Sequence, residues 1–186
     1  RRELECARKL AREIDVELLE IETHELDNRS YAANPAQRCY FCKSELYAYL
    51  VPLADELGFR HVVNGTNQDD LNDWRPGLKA AEEFRIKSPL VEAGLGKSEI
   101  RFASYKLGLS TWSKPQAACL SSRIPFGVRI TPERLKQVER GEEILKDLGF
   151  GLVRLRWFRE RAMIEVGREE TKLFFQNSEV RRDALI

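Results

Sequence analysis

Cysteine spacing gives the first chemical signal: Cys39-Tyr40-Phe41-Cys42 is followed by a third cysteine in Ala118-Cys119-Leu120-Ser121-Ser122-Arg123. A Cys-x-x-Cys pair brings two thiolates within reach of one metal. A third thiolate would leave one position open, where zinc or an iron–sulfur cluster does its chemistry. Arg38 and Lys43 flank the pair and favour the thiolate form. A buried pair of free cysteines or a structural zinc knot fits the same spacing, and the pattern alone leaves these readings open. The second group is Asn64-Gly65-Thr66-Asn67-Gln68-Asp69-Asp70. A glycine at a strand end lets a sugar or phosphate approach the main chain, Thr66 and Asn67 supply short donors, and the carboxylates suit Mg2+ or a ribose. A polar turn capping the next helix is the plainer alternative. The third group is Arg154 and Arg156, which alternate onto one strand face and suit forked recognition of phosphate or carboxylate. Glu165 on the neighbouring strand is their cross-ladder partner, although solvated arginines would show the same pattern. Cys6 falls on the apolar face of a helix and reads as core, and His24 and His61 have no partner pattern.

The elements that must position these groups follow from periodicity. Leu4, Ala7, Leu10, Ala11 and Ile14 recur on one helical face, and Val16 to Ile21 is an apolar run of strand length. The opening falls in mid-helix without Met or cap, and the expectation is that an upstream part precedes it. Asn28, Ser30, Asn34 and Pro35 mark a loop. A helical pattern from about residue 42 to Leu57, with a kink or break expected at Pro52, ends at Gly58. His61 to Asn64 then reads as a short buried strand, which makes half of a βαβ unit. Ligands in open α/β sheets sit beyond the carboxyl ends of strands, which places Gly65 to Asp70 at a site edge. Further helices are expected over 78–84 and 98–107, with an extended segment over 87–91. An irregular stretch from Lys114 to Gly127 is long enough to be functional. Thr131-Pro132 is a helix start, with Thr as cap and Pro in the first turn. Two alternating runs, 152–158 and 162–166, read as a hairpin with one wet face, and a last helix is expected from Glu169.

Composition bounds the function. The 186 residues carry 31 Lys and Arg against 30 Asp and Glu, a net charge of +1, which argues against gripping nucleic acid by bulk charge. No run of about 18 apolar residues and no leader pattern occurs, so no membrane partner is expected and a cytoplasmic location is. Four cysteines are too few for a disulfide framework.

Several blocks together point to a family: Glu5-Cys6-Ala7, Asn34-Pro35-Ala36-Gln37-Arg38-Cys39-Tyr40-Phe41-Cys42-Lys43, Asn64 to Asp70, Trp74-Arg75-Pro76-Gly77, Lys87-Ser88-Pro89-Leu90 and Ala118 to Pro125. In this order, and over nearly the whole chain, they resemble LarE-type proteins, ATP-dependent sacrificial sulfur transferases of the PP-loop ATP-pyrophosphatase superfamily. The resemblance implies an α/β architecture: a Rossmann-like PP-loop domain with a parallel sheet over 1–126, lacking its N-terminal Ser-Gly-Gly-x-Asp-Ser loop. A small α+β substrate or oligomerisation domain, cut short, would occupy 127–186. It implies a reaction as well. ATP with Mg2+ adenylates a carboxylate of pyridinium-3,5-biscarboxylic acid mononucleotide, and sulfur displaces AMP to give a thiocarboxylate on the way to the nickel-pincer nucleotide.

Carried over position by position, the resemblance makes Gly65, Thr66, Asn67, Asp70 and Arg75 nucleotide contacts and Cys119, Ser122 and Arg123 catalytic. Arg154, Arg156 and Glu165 fall on the substrate or phosphate side, and either Glu142 or Glu143 at an acidic, metal-linked position. Single-cysteine members give up the cysteine sulfur and keep dehydroalanine; members with three cysteines resemble carriers of a 4Fe-4S cluster, here on Cys39, Cys42 and Cys119. A homo-oligomer is also implied. Without the PP-loop, ATP hydrolysis would belong to a fuller protein. Two other classes fit these residues: a PP-loop enzyme that thiolates tRNA uridine, and a non-catalytic zinc-binding or oligomerisation module.

Overall fold

The computed structural model describes residues 2–176, and the chain folds as two compact units. The first unit comprises residues 1–25 and 37–114, and the second 26–36 and 115–186. The last part of the helix expected from Glu169, residues 177–186, lies outside the described residues.

In chain order the helices are α1 (Arg2–Glu13), α2 (Arg29–Ala32), α3 (Arg38–Glu56), α4 (Gly77–Glu83), α5 (Pro89–Glu92), α6 (Lys97–Lys106), α7 (Pro132–Asp147) and α8 (Leu173–Gln176). Between α7 and α8 run β1 (Val153–Phe158) and β2 (Arg161–Val166), and single 3-10 turns occupy Gln68–Asn72, Leu120–Arg123 and Arg168–Lys172. Helix α3 runs unbroken through Pro52 to Glu56. It stops where Gly58 takes a φ of +77°, with Phe59 N–H donating to the Ala54 carbonyl. A left-handed residue there costs glycine nothing. Helix α7 starts as its sequence dictates, with the Thr131 hydroxyl accepting from Arg134 N and Pro132 in the first turn.

The fold class differs from the α/β, Rossmann-like parallel sheet that the sequence pattern and the resemblance imply. Among the described residues the chain is mostly helical, and its one sheet is the antiparallel hairpin β1–β2. The run Val16 to Ile21 forms no strand, and Val16 and Leu19 stand 53% and 56% exposed. The run at 61–64 is reduced to one parallel bridge, Val63 to Lys87, in which Lys87 N–H donates to the Val62 carbonyl and Asn64 N–H to the Lys87 carbonyl. The expected extended segment after Lys87 turns into α5. The physical reason is that a parallel strand has no hairpin neighbour of its own. It persists only with strands on its edges and helices over its faces, and a short apolar run carries no information about those partners. Cys6, expected in a core, is exposed, because α1 buries only Ala11.

Each unit has its own core. In the first, Tyr47 of α3 packs with Ala80 and Ala81 of α4 and with Ile86. In the second, Leu145 of α7, Phe150 and Val153 form a cluster to which Leu155 and Ile164 of the hairpin add their side chains. The hairpin register pairs Val153 with Val166 and Arg154 with Glu165, so alternate residues of β1 turn inward as their pattern requires.

Candidate functional site

In the first unit, the loop after the Val63 bridge is knitted by its own side chains. Asn64 Oδ1 accepts from Thr66 N at 3.0 Å and from Ser88 Oγ at 2.9 Å. The Asn67 side chain accepts from Asp69 N, and Asn67 N donates to Asp70 Oδ2, which closes a capping box at the following 3-10 turn. A Cβ at Gly65 would meet nothing within 4 Å, so the space over that peptide is open. Asp70 is buried, and its Oδ1 lies 2.9 Å from Arg75 Nη2 and 3.4 Å from Lys97 Nζ. That oxygen is held by charge rather than by an aligned hydrogen bond. Arg75 also pairs with Asp73 at 3.4 Å, so the two cations are interleaved with the carboxylates of Asp69, Asp70 and Asp73 rather than left in surplus. Lys97, first residue of α6, carries no sequence signal of its own; Asp69 Oδ2 accepts from its N–H at 2.6 Å.

Cys39 and Cys42 lie one turn apart at the start of α3, Cys39 exposed and Cys42 half-buried. Spacing of three places them on one helix face. The turn carrying Arg75 packs against them: a Cβ at Gly77 would come within 3.1 Å of Lys43 Cγ and 3.5 Å of the Cys39 carbonyl. None of the four cysteines forms a disulfide.

In the second unit, Cys119 is exposed and immediately precedes the 3-10 turn Leu120–Arg123. Its carbonyl accepts from three donors: Ser122 N at 2.9 Å, Ser122 Oγ at 2.7 Å and Arg123 Nη1 at 3.1 Å. The same Nη1 donates to the Ala118 carbonyl and to Ser122 Oγ. On its other side Arg123 Nε donates to Glu142 Oε1 at 2.7 Å, both side chains being buried. Glu142 Oε1 also accepts from Leu155 N at 3.1 Å, so one carboxylate ties α7, β1 and the cysteine loop together. Of the two candidate glutamates Glu142 is thus the one turned inward. The spacing of Val138, Glu142 and Leu145, all buried, is the helical signal that singles it out.

The two hairpin arginines play different parts. Arg156 makes a two-pronged pair with Glu165, at 3.0 Å and 2.9 Å, and its Nη1 donates to the Ser122 carbonyl at 2.8 Å. Arg154, opposite Glu165 in register and half-buried, makes no ion pair among the described residues. The hydrogen bond from Arg156 holds the Glu165 carboxyl below its ordinary pKa, with the charges of Arg156, Arg154 and Arg123 acting in the same direction and desolvation opposing them.

These features describe a cysteine-bearing loop fixed by buried charge in one unit and a polar loop of interleaved carboxylates and cations in the other. No protein-family profile matches the chain. It is 46% identical over 175 residues to an uncharacterized protein of Synechocystis, covering 94% of this chain and 65% of that one. It is 35% identical over 147 residues to an uncharacterized protein of Methanocaldococcus jannaschii, covering 79% of this chain and 58% of that one. A relative with a stated activity is the pyridinium-3,5-bisthiocarboxylic acid mononucleotide synthase of Lactiplantibacillus plantarum. The chain is its homologue, 34% identical over 164 residues, covering 88% of this chain and 59% of the synthase. The chain spans less than two thirds of the length of each of these relatives. Among the described residues no helix is long and apolar enough to cross a membrane.

Proposed function

We propose that the chain carries nucleotide-binding and sulfur-donating parts of an ATP-dependent sulfur transferase whose acceptor is a carboxylate of a pyridinium mononucleotide. A carboxylate is a poor electrophile until one oxygen becomes a leaving group, and adenylation by ATP, entering as its Mg2+ complex, supplies AMP for that role. The Cys119 thiolate then attacks the activated carbonyl carbon and AMP departs. Loss of the Cys119 Cα proton to solvent with cleavage of its Cβ–S bond would release the thiocarboxylate and leave dehydroalanine. Gly65, Thr66, Asn67, Asp70 and Arg75 are the nucleotide contacts in this reading, with Arg75 and Lys97 as the cations that would meet phosphate. Ser122 and Arg123 fix the backbone of Cys119, Arg156 and Glu165 support that loop, and Arg154, on the same strand, offers a guanidinium to the substrate phosphate. The observation that carries the reading is the exposed Cys119 on a fixed backbone, in a chain homologous to a bisthiocarboxylate synthase.

Cys39, Cys42 and Cys119 are soft donors of the kind that hold zinc or a 4Fe-4S cluster. Among the described residues, however, no three His, Cys, Asp or Glu side chains gather into a metal-holding group. Cys39 and Cys42 belong to one unit and Cys119 to the other, and no step is routed through a cluster.

The test is anaerobic turnover of the natural full-length protein with ATP and the pyridinium biscarboxylate mononucleotide. Iron, acid-labile sulfide and intact mass are measured on wild type and on Cys39→Ala, Cys42→Ala and Cys119→Ala. Thiocarboxylate and AMP, with loss of the elements of hydrogen sulfide at residue 119, are expected. Product formed while residue 119 keeps its sulfur, and iron lost from all three variants, would overturn Cys119 as donor. Absence of AMP with every pyridinium carboxylate would overturn the reaction itself.

A further inference from the structure

The loop that bears Cys119 is held by its own hydrogen bonds and by Glu142, and also by a segment far away in sequence. Helix α2 is only four residues long, too short to be stable by itself. Its start is capped by Asn28, whose Oδ1 accepts from Ser30 N and Tyr31 N. Just past its end stands Asn34, fully buried and with a φ of +56°. Its Nδ2 lies 2.7 Å from the Pro125 carbonyl, 3.0 Å from that of Val128 and 3.2 Å from that of Ile124. The Asn34 carbonyl accepts from Gly127 N at 2.9 Å, and the Ala32 carbonyl from Ile130 N at 2.8 Å. On the other shoulder the Tyr31 hydroxyl bonds Ser121 Oγ at 2.7 Å, with both residues buried.

These contacts grip the chain on both sides of Ser122 and Arg123, the two residues whose donors fix the Cys119 carbonyl. An asparagine is suited to the post, since it tolerates the left-handed backbone and brings an amide donor to carbonyls that burial would otherwise strand. We propose that Asn34 and Tyr31 are positioning residues for sulfur donation: they set the conformation from which Cys119 is presented, without touching substrate. The proposal rests on the reading of Cys119 as the reactive residue.

The test compares wild type with Asn34→Gly, which keeps the left-handed backbone and deletes the amide, and with the milder Tyr31→Phe. Amide hydrogen exchange, alkylation of Cys119 relative to Cys6 in the same molecule, and steady-state kinetics are read on the natural full-length protein. For Asn34→Gly, amides of Gly127, Val128 and Ile130 should exchange at least about tenfold faster while those of α7 do not, the factor expected from one lost buried hydrogen bond. The Cys119-to-Cys6 alkylation ratio should change, and kcat should fall about tenfold with KM for ATP unchanged, because the nucleotide loop is untouched. Tyr31→Phe should move the same quantities in the same direction by less. Unchanged exchange in folded Asn34→Gly overturns the clamp. Faster exchange with kcat and the alkylation ratio as in wild type overturns the positioning role. Should wild type transfer no sulfur, the proposed function fails by itself, and the alkylation ratio and exchange still decide the clamp.

Discussion

Replacing Glu142 with Gln puts the buried charge of the second unit to the test. The Arg123 and Glu142 side chains are only 6% and 4% exposed, and the Nε to Oε1 distance is 2.7 Å. Solvent therefore screens little of their interaction, and the small values found for surface pairs do not apply. Breaking a buried pair by removing one charge leaves the other desolvated and unbalanced, a loss of about 3–5 kcal/mol. Glutamine keeps an amide oxygen that can still accept from Leu155 N or Arg123 Nε, so the low end, about 3 kcal/mol, is expected. Lys146, whose Nζ is 4.0 Å from Glu142 Oε2, adds a further unbalanced charge. With a denaturant slope of about 1.5 kcal/mol/M, the urea midpoint should fall by about 2 M. Trp157 belongs to the second unit and its indole N–H donates to Gln137 at 2.9 Å. Fluorescence of Trp157 in a Trp74→Phe, Trp112→Phe background follows that unit alone. The double variant Arg123→Met with Glu142→Leu should cost less than the single one, because it removes both charges together and leaves only neutral groups, the Leu155 N–H and the Ala118 carbonyl, without their partners. A single variant that shifts stability by less than about 1 kcal/mol would refute the reasoning and show the pair to be solvated.

The two hairpin arginines should separate cleanly. Arg154→Gln is expected to leave the urea midpoint within about 0.5 kcal/mol of wild type while weakening inorganic phosphate binding seen by calorimetry. Arg156→Gln should destabilise the same unit, since it deprives Glu165 and the Ser122 carbonyl of a donor. Glu165 is held below its unfolded pKa chiefly by Arg156, so its contribution is present above the unfolded carboxylate value and is lost as pH falls through the lower folded one. The stability gap between wild type and Glu165→Gln should therefore be constant at neutral pH and close in acid below about pH 4, and it should stay under about 1 kcal/mol because the pair is partly exposed. A gap that widens in acid would reverse that assignment. Thr131→Ala removes the cap of α7 and should cost about 1 kcal/mol, read from the same denaturation curves.

Local signals carried through where a residue's neighbours in sequence are also its partners in space. The Thr131-Pro132 start of α7, the stop at Gly58 and the hairpin with Glu165 beside the arginines are each fixed within a few residues or by alternation along paired strands. The cap after Asn67 is likewise a matter of three residues. Signals that depend on remote partners did not carry through. The apolar runs at 16–21 and 61–64 have strand composition, yet among the described residues one forms no strand and the other keeps a single bridge to Lys87.

The sequence by itself determined which residues can do chemistry, the cysteines, the Asn64 to Asp70 loop and the alternating arginines, since reactivity belongs to the side chain. It also determined the start of α7 at Thr131 and the stop of α3 before Gly58, because caps and left-handed residues act over one turn. Only the tertiary structure decided how those groups are used. It chose Glu142 over Glu143, tied Arg156 to Glu165 and the Ser122 carbonyl, and brought Asn34 to carbonyls some ninety residues away. Burial turns a hydrogen bond or an ion pair into an obligation, and which groups are buried together is settled by the packing of distant segments, about which local pattern is silent.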